Sequence, residues 1–136
     1  MTSSSTHSSD FVSVASHNSV AGTIDALQAA VEAAGAKVFA RVDHAGGAQK
    51  VGADLAPAEL LIFGNPKLGT PAMQSDIRAG LFLPLKALAY QNADGQVFLT
   101  YQDPAKMLAG LDIAADAPFV GAMQGALAKL SAAATS

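Results

Sequence analysis

Apolar residues recur along the chain at two spacings, and the switches between them mark out the elements. Phe11 to Ser16 alternates, with Phe11, Ser13 and Ala15 on one side and Val12 and Val14 on the other, the period of a strand. From Val20 the period lengthens. Val20, Ile24, Leu27, Val31 and Ala34 form one helical stripe, with Ser19 or Asn18 placed to cap its start and Gly35 to end it. Lys37 to Asp43 alternates again, which puts Val38, Ala40 and Val42 on one expected face and Phe39 and Arg41 on the other. The stretch HAGGAQKVGADLAP reads as a loop with room for one helical turn. Glu59 to Phe63 is a short, nearly continuous apolar run, as in a buried central strand, and it stops at Gly64.

Beyond Gly64 the loop GNPKLGT leads to Pro71, which suits the first position of a helix capped by Thr70 and running to Ala79. Leu85 to Gln91 and Gln96 to Tyr101 read as a hairpin turning through Asn92-Ala93-Asp94-Gly95. Asp103-Pro104 opens a further short helix. In the alanine-rich end, Phe119, Met123, Leu127 and Leu130 make one face of a closing helix, weakened by about 1 kcal/mol at each of Gly121 and Gly125. The order β-α-β-β-(short α)-β-β-α predicts an α+β fold: an antiparallel or mixed sheet of about five strands with helices packed on one face. A sheet wet on one side should alternate cleanly, yet Leu88, Tyr90, Phe98 and Leu99 put apolar residues on both faces of the hairpin. A homodimer formed through the sheet is the expected remedy.

Composition narrows the picture. Of 136 residues 51% are hydrophobic, but 30 of these are alanine, which leaves enough large side chains for a single core. The expected organisation is a polar tail over 1–10, one domain over 11–113, and a C-terminal helix over 114–136 packed on that domain. Eight basic against eleven acidic residues give a net charge of −3 with no basic block, so no nucleic-acid partner is expected. Absence of cysteine excludes thiolate chemistry and disulfides. The opening MTSSSTHSSD lacks the charged and apolar regions of a secretory signal, and no apolar run reaches the ~18 residues of a membrane span. No membrane partner is expected, and a cytoplasmic location is the default.

Several separated motifs, in order, carry a family resemblance: Ser19, Thr23 and Leu27 at the first helix, RVDHAGGA (Arg41 to Ala48), LLIFGNPKLGTPAMQ (Leu61 to Gln74), LPLKALAY (Leu83 to Tyr90) and DGQVFLTYQDP (Asp94 to Pro104). Together they resemble the bacterial family catalogued as domain of unknown function 302. The resemblance spans Ser19 to Asp103, about two thirds of the chain, and leaves the region after about Ala114 outside. It implies a small, dimeric α+β domain and assigns no activity.

Candidate chemistry concentrates at one loop. Gly64 and Gly69 free the backbone before an expected helix start, so Gly64, Asn65, Lys67, Gly69 and Thr70 make a candidate site for a small ligand, an anion being the natural guest of a helix N-terminus, or for a protein partner. Thr70 stands where a nucleotide-binding P-loop requires lysine, which removes that reading. A plain strand-to-helix turn accounts for the same residue types. The alternative to a binding module is a proton-transfer enzyme using His44, Lys86 or Tyr101, which requires at least two of them in one pocket. No ligand-spaced His or carboxylate set suggests a metal, and no glycine fingerprint suggests a nucleotide cofactor, so none of either is expected.

Overall fold

The computed structural model of the chain describes residues 10–136, so the expected tail lies, apart from Asp10, outside the described residues. In chain order the elements are β1 (Phe11–Ser16), α1 (Val20–Ala33), β2 (Lys37–Asp43), α2 (His44–Lys50), β3 (Ala58–Gly64), α3 (Pro66–Ser75), a 3₁₀ turn (Ile77–Leu81), β4 (Leu85–Gln91), β5 (Val97–Gln102), α4 (Pro104–Met107) and α5 (Pro118–Thr135). The strands form one sheet in the order β1-β5-β4-β3-β2, and every neighbouring pair is antiparallel. The first two strands therefore become opposite edges, and α1 must cross the sheet between them. It packs against β2, β3, β4 and β5 on the way.

α1 and α5 lie together on one face, where Ile24, Leu27, Val31, Leu61, Phe63, Leu99, Met123 and Leu127 make the core. Ser19 caps α1 as expected, its hydroxyl accepting from the Gly22 amide at 3.0 Å, and Gly35 takes the left-handed conformation just beyond the helix (φ 80°). Gly95 does the same in the β4–β5 turn (φ 84°). At the junction of β1 and α1 a directed chain of hydrogen bonds replaces apolar packing. The Asn18 amide donates to Ser16 Oγ (3.1 Å), Ser16 Oγ to buried Thr23 Oγ1 (2.6 Å), and Thr23 Oγ1 to the Ser19 carbonyl (2.8 Å). From the same turn, His17 N and Asn18 Nδ2 donate to the last carbonyls of α5, at Thr135 and at Ala134 and Ser136. The orphan acceptors of one helix are thus satisfied by the entry to the other.

Three expectations change. Asp43 caps a two-turn α2, where only one turn was expected; its Oδ1 accepts from the Gly46 amide at 2.9 Å. α3 starts at Pro66 with Asn65 as cap, so Pro71 sits inside the helix and Thr70 caps nothing; Pro66 serves as the first-turn proline equally well. Between Val38 and Ala40 the β2–β3 register shifts, so Phe39 forms a bulge. Val38 then faces the helices beside Phe63, while Ala40 and Val42 face the other way beside Ile62 and Leu60. Strict alternation assigned these three residues to one face, and one extra residue reverses that for everything after it.

In α5 the buried residues include Met123 and Leu127 as expected, with Val120 more buried than Phe119. Gly121 and Gly125 are exposed, and a Cβ added at either would meet nothing within 4 Å. Their cost to the helix therefore has no packing compensation. Gly121→Ala and Gly125→Ala should each stabilise the protein by about 0.5–1 kcal/mol, read as a rise of a few degrees in the thermal midpoint.

Candidate functional site

Antiparallel pairing of β3 with β4 sets Phe63 against Leu85, and pairing of β2 with β3 sets Lys37 against Gly64. The exit of β3, the start of β4 and the start of β2 thus meet at one end of the sheet. Chain leaving β3 turns straight into α3, and the space between α3, the 3₁₀ turn and the sheet end is a cavity of about 330 Å³. Phe39, Leu68, Met73, Leu83 and Met123 supply apolar walls, and Gly64, Asn65, Gly69 and Thr70 of the expected loop line it as well. Gly69 and Gly80 keep it open. A Cβ at Gly69 would touch Leu83 Cδ1 (3.5 Å), and one at Gly80 would press on Met73 Sδ at 3.2 Å.

The start of α3 does not offer its amides to a ligand. Pro66 has no N–H, the Lys67 amide donates to Asn65 Oδ1 (3.0 Å), and the Leu68 and Gly69 amides both donate to the Asn65 carbonyl (2.9 and 3.0 Å). One asparagine consumes the donors that make a helix N-terminus attract anions. Pro71 likewise withholds the amide that Lys67 O would accept from four residues on.

The three candidate acid–base residues do not converge. His44 is exposed in the first turn of α2, after Asp43 pairs with Glu59 at the far end of the sheet. Lys86 and Tyr101 lie at the cavity end but on opposite faces. Lys86 is exposed, with Nζ 3.3 Å from the Pro84 carbonyl and 3.5 Å from that of Phe82. Tyr101 is buried under α5; burial pushes its phenol pKa up, and a hydrogen bond with Ser131 partly opposes this. Among the described residues no cluster of three or more His, Cys, Asp or Glu side chains is arranged to hold a metal ion.

Asp76, at the corner between α3 and the 3₁₀ turn, went unnoticed in the sequence. Its Oδ1 accepts from the Arg78 backbone amide (3.0 Å) and Nε (3.1 Å), and its Oδ2 from Arg78 Nη2 (2.7 Å) and the Asp112 amide (2.9 Å). The corner that carries Gly80 into the cavity wall is thereby fastened to the loop before α5. An Asp-x-Arg spacing after a helix is too common to have announced it; the decisive partner is 36 residues away.

The family model described as "Domain of unknown function DUF302" matches residues 12–136. The chain belongs to the DUF302 family. The match runs through α5, further than the motifs between Ser19 and Asp103 implied. A solved relative, the uncharacterized conserved protein DUF302 from Bacillus stearothermophilus, superposes with a TM-score of 0.73 at 20% identity, covering 93% of this chain and 95% of that one. That likeness shows the fold. Among curated relatives, "Fluoride-specific ion channel FluC 1" of Brucella suis biovar 1 (strain 1330) is 48% identical over 97 residues, 71% of this chain and 38% of that protein. The protein of the same name from Brucella abortus biovar 1 (strain 9-941) is also 48% identical, over 36% of its length. The chain thus spans little more than a third of the curated relatives it matches, and none of its described helices is long and apolar enough to cross a membrane.

Hydrogen bonds from Arg78 and Asp112 hold the Asp76 carboxyl well below the usual carboxylate range. A depressed folded-state pKa stabilises fully above the ordinary value near 4 and loses that contribution as pH falls through it toward the folded-state value. Chemical denaturation from about pH 6 down to about pH 2 should therefore show stability falling more steeply for the wild type than for Asp76→Asn.

Proposed function

We propose that the chain is a homodimeric ligand-binding module, two copies pairing through the uncovered sheet face and each carrying the cavity built on Gly64–Thr70. The observation behind the ligand reading is the cavity itself: a concave, mainly apolar space of about 330 Å³ with a few polar side chains at its edge, the usual make-up of a small-molecule site. Closure of the α3 amides favours a guest held chiefly by apolar contact over a bare inorganic anion. Separation of His44, Lys86 and Tyr101 favours the binding reading over the proton-transfer alternative, which needs two of them in one pocket.

The dimer reading rests on the second sheet face. Leu60, Ile62, Leu88, Tyr90 and Phe98 share it across three adjacent strands, all half-buried, and Tyr90 stacks on Phe98 with ring centroids 5.9 Å apart. Ser13 and Thr100 hydrogen-bond to each other there at 2.7 Å, and the one charged residue of β3, β4 and β5 on this face, Lys86, lies at its cavity end near the start of β4, outside the apolar centre of the proposed contact. At ~4.8 Å between strands and ~3.3 Å per residue, the face measures roughly 24 by 20 Å, or ~480 Å² before side-chain relief, more than half of the ~800 Å² per partner of a standard interface.

A module of this kind also suits the company the domain keeps. In the Brucella relatives the matched region is a minor part of a protein named as a fluoride-specific channel. Since the matching region here holds no candidate span among the described helices, we assign ion conduction in those proteins to their remaining length and a binding or pairing role to this domain.

Sedimentation equilibrium at micromolar concentration should give twice the 13.7 kDa chain mass. Leu88→Glu, in the middle of the face, should give the monomer with an unchanged circular dichroism spectrum; a monomeric wild type would sink the dimer. For the cavity, a thermal-shift screen of small metabolites should yield hits worth about 2.7 kcal/mol at a hundred times Kd. These should disappear in Gly69→Leu, which fills the cavity. Asn65→Ala is a poorer probe because it uncaps α3 at a cost of roughly 1 kcal/mol.

A further inference from the structure

Three lysines neighbour residues that line the cavity without lining it themselves, and none of them has a carboxylate partner among the described residues. Lys37 is the register neighbour of Gly64, and its Nζ stands 5.3 Å from the ring centroid of Phe39, a wall residue. Lys86 Nζ rests on the carbonyls of Phe82 and Pro84, the latter also in the wall. Lys67 is exposed in the first turn of α3 between Pro66 and Leu68, both of which line the space. The described ion pairs instead involve Arg41 with Asp25 and Glu59, and Arg78 with Asp76. No charged residue of either sign lines the cavity, and the neighbouring lysines bring charge beside its walls.

We infer that the cavity takes an amphiphilic anion, an apolar body inside and an anionic head such as a carboxylate at the mouth, met by Lys37, Lys67 and Lys86. The inference rests on the ligand-binding reading above and deepens it. Each part of the site excludes a simpler guest. The aliphatic, aromatic and thioether walls give a small hydrated ion nothing to replace its water shell, and the paired α3 amides cannot do so either. A neutral apolar guest would fill the walls but leave the lysines unused, and a cationic one would meet them as like charges. A volume of about 330 Å³ is at the small end of small-molecule sites, in keeping with a guest the size of a medium-chain carboxylate. The lysines are held only by a ring face and by long contacts to carbonyls, so they can turn to a head group at little cost. Met73 and Met123 in the walls adapt readily to chains of differing shape.

Isothermal titration of the full chain with octanoate, octan-1-ol, octylammonium and acetate tests this. Octanoate should bind at least tenfold more tightly than octanol, and octylammonium and acetate should give no detectable heat of binding. The triple variant Lys37→Gln, Lys67→Gln, Lys86→Gln should weaken octanoate about tenfold and leave octanol unchanged. Salt at about 0.5 M, with its Debye length of only ~4 Å, should weaken octanoate alone. Gly69→Leu should abolish binding of both. Equal affinity for octanoate and octanol, indifferent to the triple substitution, would overturn the anionic-head assignment and leave the cavity reading standing. No binding of either, in wild type as in Gly69→Leu, would overturn both.

Discussion

A sheet of five strands exposes two faces to be covered, and this chain has helix enough for one. α1 and α5 together span the sheet on that side, and most of the tightly buried core belongs to them and the strands they cover. Their placement depends on the turn from Ser16 to Ser19, where β1, α1 and the end of α5 are joined through buried or half-buried hydroxyls and amides. Apolar contact is indifferent to small slides of a helix along a sheet, whereas a relay of hydrogen bonds ending on named carbonyls is not. The polar knot fixes where the greasy layer sits. Everything at the opposite end of the sheet, the cavity included, inherits its geometry from that anchoring.

Most of the elements were legible because their periods are clean. β1, α1, β2 and the hairpin follow from alternation, a 3.6-residue stripe and a glycine turn, and the structure keeps them to within a residue or so. What escaped notice had competing local signals. GNPKLGTP holds two prolines, each a fair first residue of a helix, and nothing local says which one wins; the asparagine cap, followed by the first proline, decides it for Pro66. HAGGAQK looks too rich in glycine to be helical, yet the aspartate at its head supplies the cap and the result is two turns. The bulge at Phe39 has no signature at all in a strand that alternates so regularly.

The candidate site was half legible. Gly64 to Thr70 reads as a loop before a helix, and all of it but Lys67 lines the cavity, through the capped start of α3 rather than an open loop. Its walls come from Phe39, Leu83 and Met123, separated by tens of residues in sequence and united only by strand order and by the packing of α5. Pairwise chemistry among His44, Lys86 and Tyr101 failed for a related reason. Which end of a sheet a residue reaches follows from hairpin logic, but which face it shares with another strand depends on register, and that is a tertiary property.

The bulge at Phe39 ties two unrelated demands to a single position. Downstream of it, Arg41 reaches both Asp25 and Glu59 at 2.7 Å on the helix side, while Ala40 and Val42 join the uncovered face. The bulged Phe39 itself lines the cavity, with Lys37 Nζ resting over its ring. β2 is also an outer strand whose free edge could template growth by another chain, and a kink flanked by charged side chains makes that edge a poor template. Deleting one residue here would restore perfect pleating and, in the same stroke, invert the strand's parity, strand the arginine among apolar side chains and square off the edge. Indels at this point should be among the least tolerated in the chain, however irregular and dispensable the spot looks in outline.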